Sequence, residues 1–370
     1  SMIRDQAKAW ANEQAPVQAF RAMRDSGVEN CYSDETWAAM VELGWTGIII
    51  PEEFGGSDLG YQTFGLVLEE LGRQLTASPL YASALVGATA ILLGGNADQQ
   101  KDILPKIVDG TEIVTLVVDE SPRHSPSNVS LQAKKTSNGF TLTGNKTFVL
   151  EGMAATTFVV AARTGGNAGE EQGISLFLVP ADAKGLSRKA MATADRRGYA
   201  QLEFSGVEVD AGAVLGTLDE GFAVLDATLD RARAGLAAEM VGTGAQAFDM
   251  TLEYLKTREQ FGKVIGSFQA LGHRAAGLFS KMELSRSCAE AALQSIDAGD
   301  SNIVEMSSLS KAKVGDFLFE MSNQLIQIHG GIGMTDEFDA GFYLKRARSS
   351  EATFGNQAFH RNRYARSLGF

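Results

Sequence analysis

The chain has 370 residues, 44% hydrophobic and 21% charged, enough to bury a large core in two or three packed units. Its formal net charge of −12, without any basic run, excludes nucleic-acid binding, because nothing is present to neutralise a line of phosphates. No apolar stretch approaches the roughly 20 residues that span a bilayer, so a soluble protein without membrane association is expected. Ser1-Met2 reads as a cloning scar with no secretory signal after it. Two isolated cysteines, Cys31 and Cys288, suit a reducing, cytoplasmic compartment.

Along the chain the pattern changes twice. From Ile3 to about Gly110, apolar residues recur at spacings of three and four, as in Trp37, Met40, Val41 and again in Phe64, Val67, Leu68, Leu71. This predicts an N-terminal helical domain over residues 1–112. Between Ile113 and Leu215, short β-rich runs appear at Ile113–Val118, Phe140–Val149, Thr157–Ala162, Ile174–Val179 and Leu202–Val207, separated by Gly- and Pro-containing turns. They predict a central, mainly antiparallel sandwich or small barrel over 113–217, with Thr164–Gly173 as an exposed loop. Long helices follow at Arg231–Lys256, Ser267–Ala298 and Asn302–Ile328, the material of a C-terminal four-helix bundle over 218–370. An α+β protein with its sheet inserted between two helical parts is not a doubly wound nucleotide-binding fold, in which strands and helices alternate.

The common motifs fail one by one. Gly242-Thr243-Gly244-Ala245-Gln246-Ala247 matches a dinucleotide fingerprint, but it follows the helix-forming run Ala234–Val241 rather than a strand. Its glycines are therefore read as places where two helices approach closely. His124, His273, His329 and His360 lack ligand spacing, so no metal site is expected. No Gly-x-Ser-x-Gly elbow and no P-loop lysine occur.

Two segments can grip an anion. Arg258, in a turn between two long helices, offers a planar guanidinium to a pyrophosphate, with an exposed ion pair at a helix end as the plainer reading. Gly330, Gly331 and Gly333 let backbone N–H groups approach anionic oxygens, with a helix C-cap as the plainer reading. These segments also carry a resemblance. Pro51-Glu52-Glu53-Phe54-Gly55-Gly56 looks like the "PEEyGG" turn of acyl-CoA dehydrogenases. The run from Arg258 through Phe261-Gly262, Ile265 and Phe268-Gln269 closely resembles that family's "R-x-x-F-G-x-x-I-x-x-F-Q" segment, and Gln327 with Gly330-Gly331 and Gly333 is similar to its "Q-x-x-G-G-x-G" loop.

The three stretches keep the family's order and spacing over essentially the whole chain. The resemblance implies an FAD cofactor, an acyl-CoA substrate and an electron-transfer flavoprotein as partner, in the setting of fatty acid β-oxidation. It also implies an oligomer, because in the resembling proteins the arginine segment and the glycine loop serve FAD across a subunit boundary. Arg258, Phe261, Gln269, Gln327, Gly330 and Gly331 are then cofactor residues, and Ser125 and Arg233 fall at the substrate. Val117-Val118-Asp119-Glu120-Ser121 and Lys146-Thr147-Phe148-Val149-Leu150 fall where the family has "T-E-P-G-A-G-S-D" and "K-x-W-I-T". Phe148 can stack near the flavin ring, and backbone groups of Val118, Val149 and Leu150 can hydrogen-bond it. Asp119 departs from the family by replacing a hydroxyl, and a carboxylate beside a reduced flavin is unfavourable unless it is turned away.

The reaction needs a carboxylate to take a weakly acidic α-proton. Many members of the family carry it in "Y-E-G-T", where Phe354 stands here. Others carry it just before a helix arginine, where Ala232 stands before Arg233. Neither position can act. Glu239, seven residues and two turns beyond Ala232 on nearly the same face, is the first remaining candidate, ahead of Asp230 and Glu351. Against it stands an interhelical ion-pair role with no base in the chain. The leading expectation is a homotetrameric FAD-dependent acyl-CoA dehydrogenase that yields a trans-2-enoyl-CoA. The alternative is a non-catalytic partner in an α2β2 heterotetramer, and a third reading keeps the fold for a flavin oxidase or monooxygenase.

Overall fold

A computed structural model describes residues 1–370. Helices α1 (Met2–Gln14), α2 (Val17–Ser26), α3 (Asp34–Glu42), α4 (Gly60–Arg73), α5 (Ala88–Gly94) and α6 (Ala97–Val108) come first. Strands β1 (Val114–Val117), β2 (Gln132–Lys135), β3 (Gly139–Leu150), β4 (Thr157–Arg163), β5 (Ile174–Pro180), β6 (Leu186–Ala190), β7 (Tyr199–Asp210) and β8 (Val214–Leu215) follow. Helix α7 (Phe222–Thr257) leads to a small hairpin of β9 (Glu259–Gln260) and β10 (Lys263–Val264). Helices α8 (Gln269–Ala298), α9 (Ile303–His329), α10 (Ala340–Ala352) and α11 (Gln357–Ser367) end the chain. No helix is long and apolar enough to cross a membrane.

The chain divides into two compact units, one of residues 23–60 and 77–232, the other of 1–22, 61–76 and 233–370. Two stretches of the N-terminal helical region group with the C-terminal helices.

In the first unit the sheet runs β6-β7-β3-β2-β4-β5-β8, with β1 added beside β4. Most pairs are antiparallel, but β1 lies parallel to β4 from Val114 opposite Thr157 to Val117 opposite Val160. The sheet is thus mixed rather than purely antiparallel. The parallel pair is possible because everything from Val118 to Thr156 serves as its crossover, well above the dozen residues such a connection requires. Phe158, Val160, Leu176, Phe177 and Phe204 are fully covered, and Phe140 meets Phe177 edge-on at 5.0 Å. Each such side chain contributes about 1.5–3 kcal/mol by leaving water. Strands β2 and β6 were not foreseen. Their compositions, Gln132-Ala133-Lys134-Lys135 and Leu186-Ser187-Arg188-Lys189-Ala190, contain no apolar run, and pairing to β3 and β7 supplies what propensity does not.

In the second unit α7 is continuous through Gly242 and Gly244, as the helical reading requires. A Cβ on Gly242 would lie 1.8 Å from the Glu69 carbonyl of α4, and one on Gly72 would lie 2.2 Å from the Glu239 carbonyl of α7. Two backbones therefore touch where only hydrogen fits. Just outside this crossing, Glu69 binds Arg4 at 2.7 Å and Arg286 at 3.1 Å, tying α1 and α8 to α4.

Candidate active-site elements

Arg258 follows the last turn of α7, its N–H still donating to the Tyr254 carbonyl, and its own carbonyl accepts from Ile265 N–H at 2.8 Å, which closes the hairpin. Phe261 and Gly262 form the two-residue tip, with φ of 56° and 75°, the left-handed pair that a primed hairpin turn demands. Phe261 is 91% exposed. Arg258, Gln269 and Gln327 are also exposed, and none of their three side chains has a hydrogen-bond or ionic partner in the chain.

The glycine loop lies against this hairpin. Ile328, at the end of α9, packs with Leu255 and Ile265, supported by Tyr254, Phe268 and Leu271. The Tyr254 hydroxyl donates to the His329 carbonyl at 3.4 Å. A small apolar cluster thus brings together two motifs that are some seventy residues apart in sequence. Gly330 has φ 61° and ψ −136°, a backbone state suited to glycine, and a Cβ on Gly330 or Gly331 would meet nothing within 4 Å. The loop is open on that side. His329 is sandwiched between Tyr254 at 4.2 Å and Phe338 at 4.8 Å. Burial holds its pKa below the ordinary value, so the neutral ring donates from Nδ1 to the Leu325 carbonyl and leaves a buried Nε2 lone pair without a donor.

The sheet supplies a second set of residues. Val118, just past β1, is buried, and its carbonyl accepts from Lys146 Nζ at 2.8 Å. Lys146 is itself fully buried and pairs with Glu120 at 3.0 Å; burial pulls its pKa down while Glu120 pulls it up. Phe148 sits where the β3–β7 register slips, with φ 51° and 39% exposure. The bulge turns its ring outward instead of into the sheet. Val149 is buried. The Leu150 carbonyl, expected to be free for a ligand, accepts from Thr115 Oγ1 at 2.7 Å instead. A cleft of about 610 Å³ opens beside these strands, lined by Ser121, Lys146, Phe148, Ser187, Lys189 and Met191 among others. Ser125 does not line this cleft; its N–H points to Asp119.

The substitutes for the base lie elsewhere. Phe354 is buried at φ 56°, and its carbonyl receives Arg233 Nε at 3.2 Å and His360 Nε2 at 3.0 Å. Lys311 Nζ donates to the carbonyls of Ser350, Glu351 and Gly355 at 2.9–3.0 Å. Burial pushes its pKa down to about 7. Arg233, expected at the substrate, is fully covered and serves the turn's main chain, because a buried guanidinium must place its N–H groups on acceptors. Ala232 is covered as well, its carbonyl taking the Tyr81 hydroxyl at 2.7 Å. Glu239 is buried 4.0 Å from the Arg346 guanidinium. Asp230 is buried too, and Glu351, whose pKa burial raises, is held by Gln357 and Arg348.

Two features of these elements escape sequence reasoning. A lysine on the apolar face of a helix could have drawn attention to Lys311. Nothing signals that His124 bonds Asp119 five residues back.

Comparison with known proteins identifies the family. Models of the acyl-CoA dehydrogenase N-terminal, middle and C-terminal domains match residues 1–111, 121–211 and 219–369. The protein named "Probable acyl-CoA dehydrogenase YngJ" of Bacillus subtilis is 30% identical over 99% of this chain and 97% of its own length. A variant of the Tcur3481-Tcur3483 steroid ACAD superposes with a TM-score of 0.89 at 29% identity, covering 99% of this chain and 96% of that one. The ChsE4-ChsE5 complex of Mycobacterium tuberculosis gives 0.89 at 26%, with 99% and 96% covered. The chain belongs to the acyl-CoA dehydrogenase family, flavoprotein oxidoreductases that act on the CH–CH bond of acyl-CoA.

Proposed function

We propose that this chain works in an FAD-dependent dehydrogenase that converts an acyl-CoA to its trans-2-enoyl-CoA and passes the electrons to an electron-transfer flavoprotein. The observation that carries this reading is the pairing of the Arg258 hairpin with the Gly330 loop. An arginine and two glutamines whose side chains have no partner, beside a loop with no side chains in its way, together form a cradle that suits an anion. A dinucleotide suits it: Arg258 and the Gly330–Gly331 amides take the diphosphate, while Gln269, Gln327 and Phe261 border the rest. In this reading the cradle serves a neighbouring protomer, and Val118, Phe148 and Val149 hold the flavin ring. The bound flavin supplies the hydride acceptor. The cleft beside Phe148 offers Lys189 and the hydroxyls of Ser121 and Ser187 to the phosphate-bearing tail of a thioester.

The α-proton divides two versions of the proposal. In the first, Glu239 takes it within a homotetramer. In the second, a second, unlike chain brings the carboxylate to an α2β2 assembly. Phe354 and Ala232 at both base positions favour the second version. So does Arg346, whose guanidinium lies 4.0 Å from the buried Glu239 carboxylate, the arrangement of an interhelical ion pair. Two similar structures whose names join two proteins support the same version, and one of them names a steroid substrate.

The test is flavin bleaching under anaerobic conditions with a panel of straight, branched and steroid-derived acyl-CoA thioesters. Bleaching by the protein alone, slowed about a hundredfold or more in Glu239→Gln, establishes the homomeric version. A parental rate in that variant removes Glu239 as the base, and bleaching that appears only after co-expression with a second chain establishes the heteromeric version. A protein that takes up no FAD in either setting sinks the proposal. Consumption of dioxygen without an added acceptor would turn it into an oxidase.

A further inference from the structure

We infer that Asp119 and His124 form a clasp that makes an acidic side chain tolerable at the end of β1, with His124 as the positioning residue; this rests on the flavin reading above. Asp119 follows Val118 directly, and Thr147 N–H donates to its carbonyl at 2.8 Å, which fixes it beside Phe148. Its carboxylate receives His124 Nδ1 at 2.9 Å on both oxygens and the Ser125 N–H at 3.4 Å. The His124 side chain is 3% exposed and that of Asp119 15%.

The cations nearby are committed to other acceptors. Lys146 is engaged by Glu120 and the Val118 carbonyl, and Glu120 also takes the amides of Ser130 and Leu131. Arg163 gives its N–H groups to the carbonyls of Ser127, Val129, Glu170 and Gln172. His124 is therefore the side chain that hydrogen-bonds the Asp119 carboxylate, while the Lys146 charge acts on it only through space. Neither residue of the pair lines the cleft, although Glu120, Ser121 and Pro122 on one side, and Lys146, Thr147 and Phe148 on the other, do. The clasp turns the carboxylate away from the place assigned to the flavin ring.

Without His124 the carboxylate is left half-buried with one amide donor. It then either swings into the cleft or stays desolvated, and a negative charge there opposes a ring that becomes more negative on reduction. Loss of His124 should thus weaken FAD binding and make the bound flavin harder to reduce. Removing the charge of Asp119 as well should cancel both effects, which separates electrostatic positioning from mere packing.

The experiment compares the full-length parental protein with His124→Gln, Asp119→Asn and the double variant, in whichever assembly takes up FAD. It reads the FAD dissociation constant by fluorescence and the reduction midpoint by titration against a redox dye. Expected are a loss of affinity of about tenfold or more and a lower midpoint in His124→Gln. Asp119→Asn and the double variant should stay within about twofold of the parent. If His124→Gln does not fold by circular dichroism, a folded, FAD-binding double variant supports the clasp equally, whereas failure of both to fold overturns it. Parental affinity and midpoint in His124→Gln overturn it, as does a double variant as impaired as the single one. If the parental protein takes up no FAD, the flavin reading and the clasp fall together.

Discussion

Two parts of the second unit treat their polar groups in opposite ways. At the Arg258 hairpin and the Gly330 loop, the side chains of Arg258, Gln269 and Gln327 stand in solvent with no partner, and a buried imidazole nitrogen lacks a donor. At the turn around Phe354, three buried side chains, Arg233, Lys311 and His360, grip four backbone carbonyls. Binding surfaces leave bonding capacity unused until a ligand arrives, whereas a scaffold consumes its own. The contrast separates residues that serve a ligand from residues that hold a shape.

It can be broken first at Lys311. Lys311→Met strips three carbonyls of a buried donor and should cost about 3–5 kcal/mol of stability in urea unfolding. A loss under about 1 kcal/mol would mean that the turn is not held as described. Glycine substitutions sharpen the contrast. Gly355 has φ 104° and a Cβ there would lie 2.4 Å from the Phe359 ring, so Gly355→Ala should cost about 3 kcal/mol through strain and overpacking. Gly330→Ala meets open space and should cost only the strain of its left-handed φ, about 1–2 kcal/mol. Thermal melts that rank these two the other way would undo the distinction. Arg258→Ala should weaken FAD about 10- to 100-fold, yet shift unfolding stability by no more than about 0.5 kcal/mol. A clear destabilisation would show that Arg258 has a structural partner after all.

Much of this was legible before any coordinates. The long helices α7, α8 and α9 announce themselves through sustained periodicity, and the fingerprint at Gly242 could be set aside because a strand should precede it and none does. The arginine turn and the glycine loop could be recognised because each residue type suits an anion by itself. What could not be read depends on groups that meet only in three dimensions. Arg233 looks like a ligand-binding cation in sequence, and only the fold brings the Phe354 carbonyl beside it. Glu239 keeps the right helical face for a base, but its neighbour Arg346 comes from α10, more than a hundred residues later. Strands β2 and β6 are polar because their partners, not their own side chains, hold them in place.

The turn at Phe354 has one more implication, for engineering. Arg233, Lys311 and His360 all take hold of main-chain oxygen, so the shape of the turn is set by its backbone rather than by the identity of the side chain at position 354. A reactive group could be installed there by altering a single codon, with the loop already cast in its final shape.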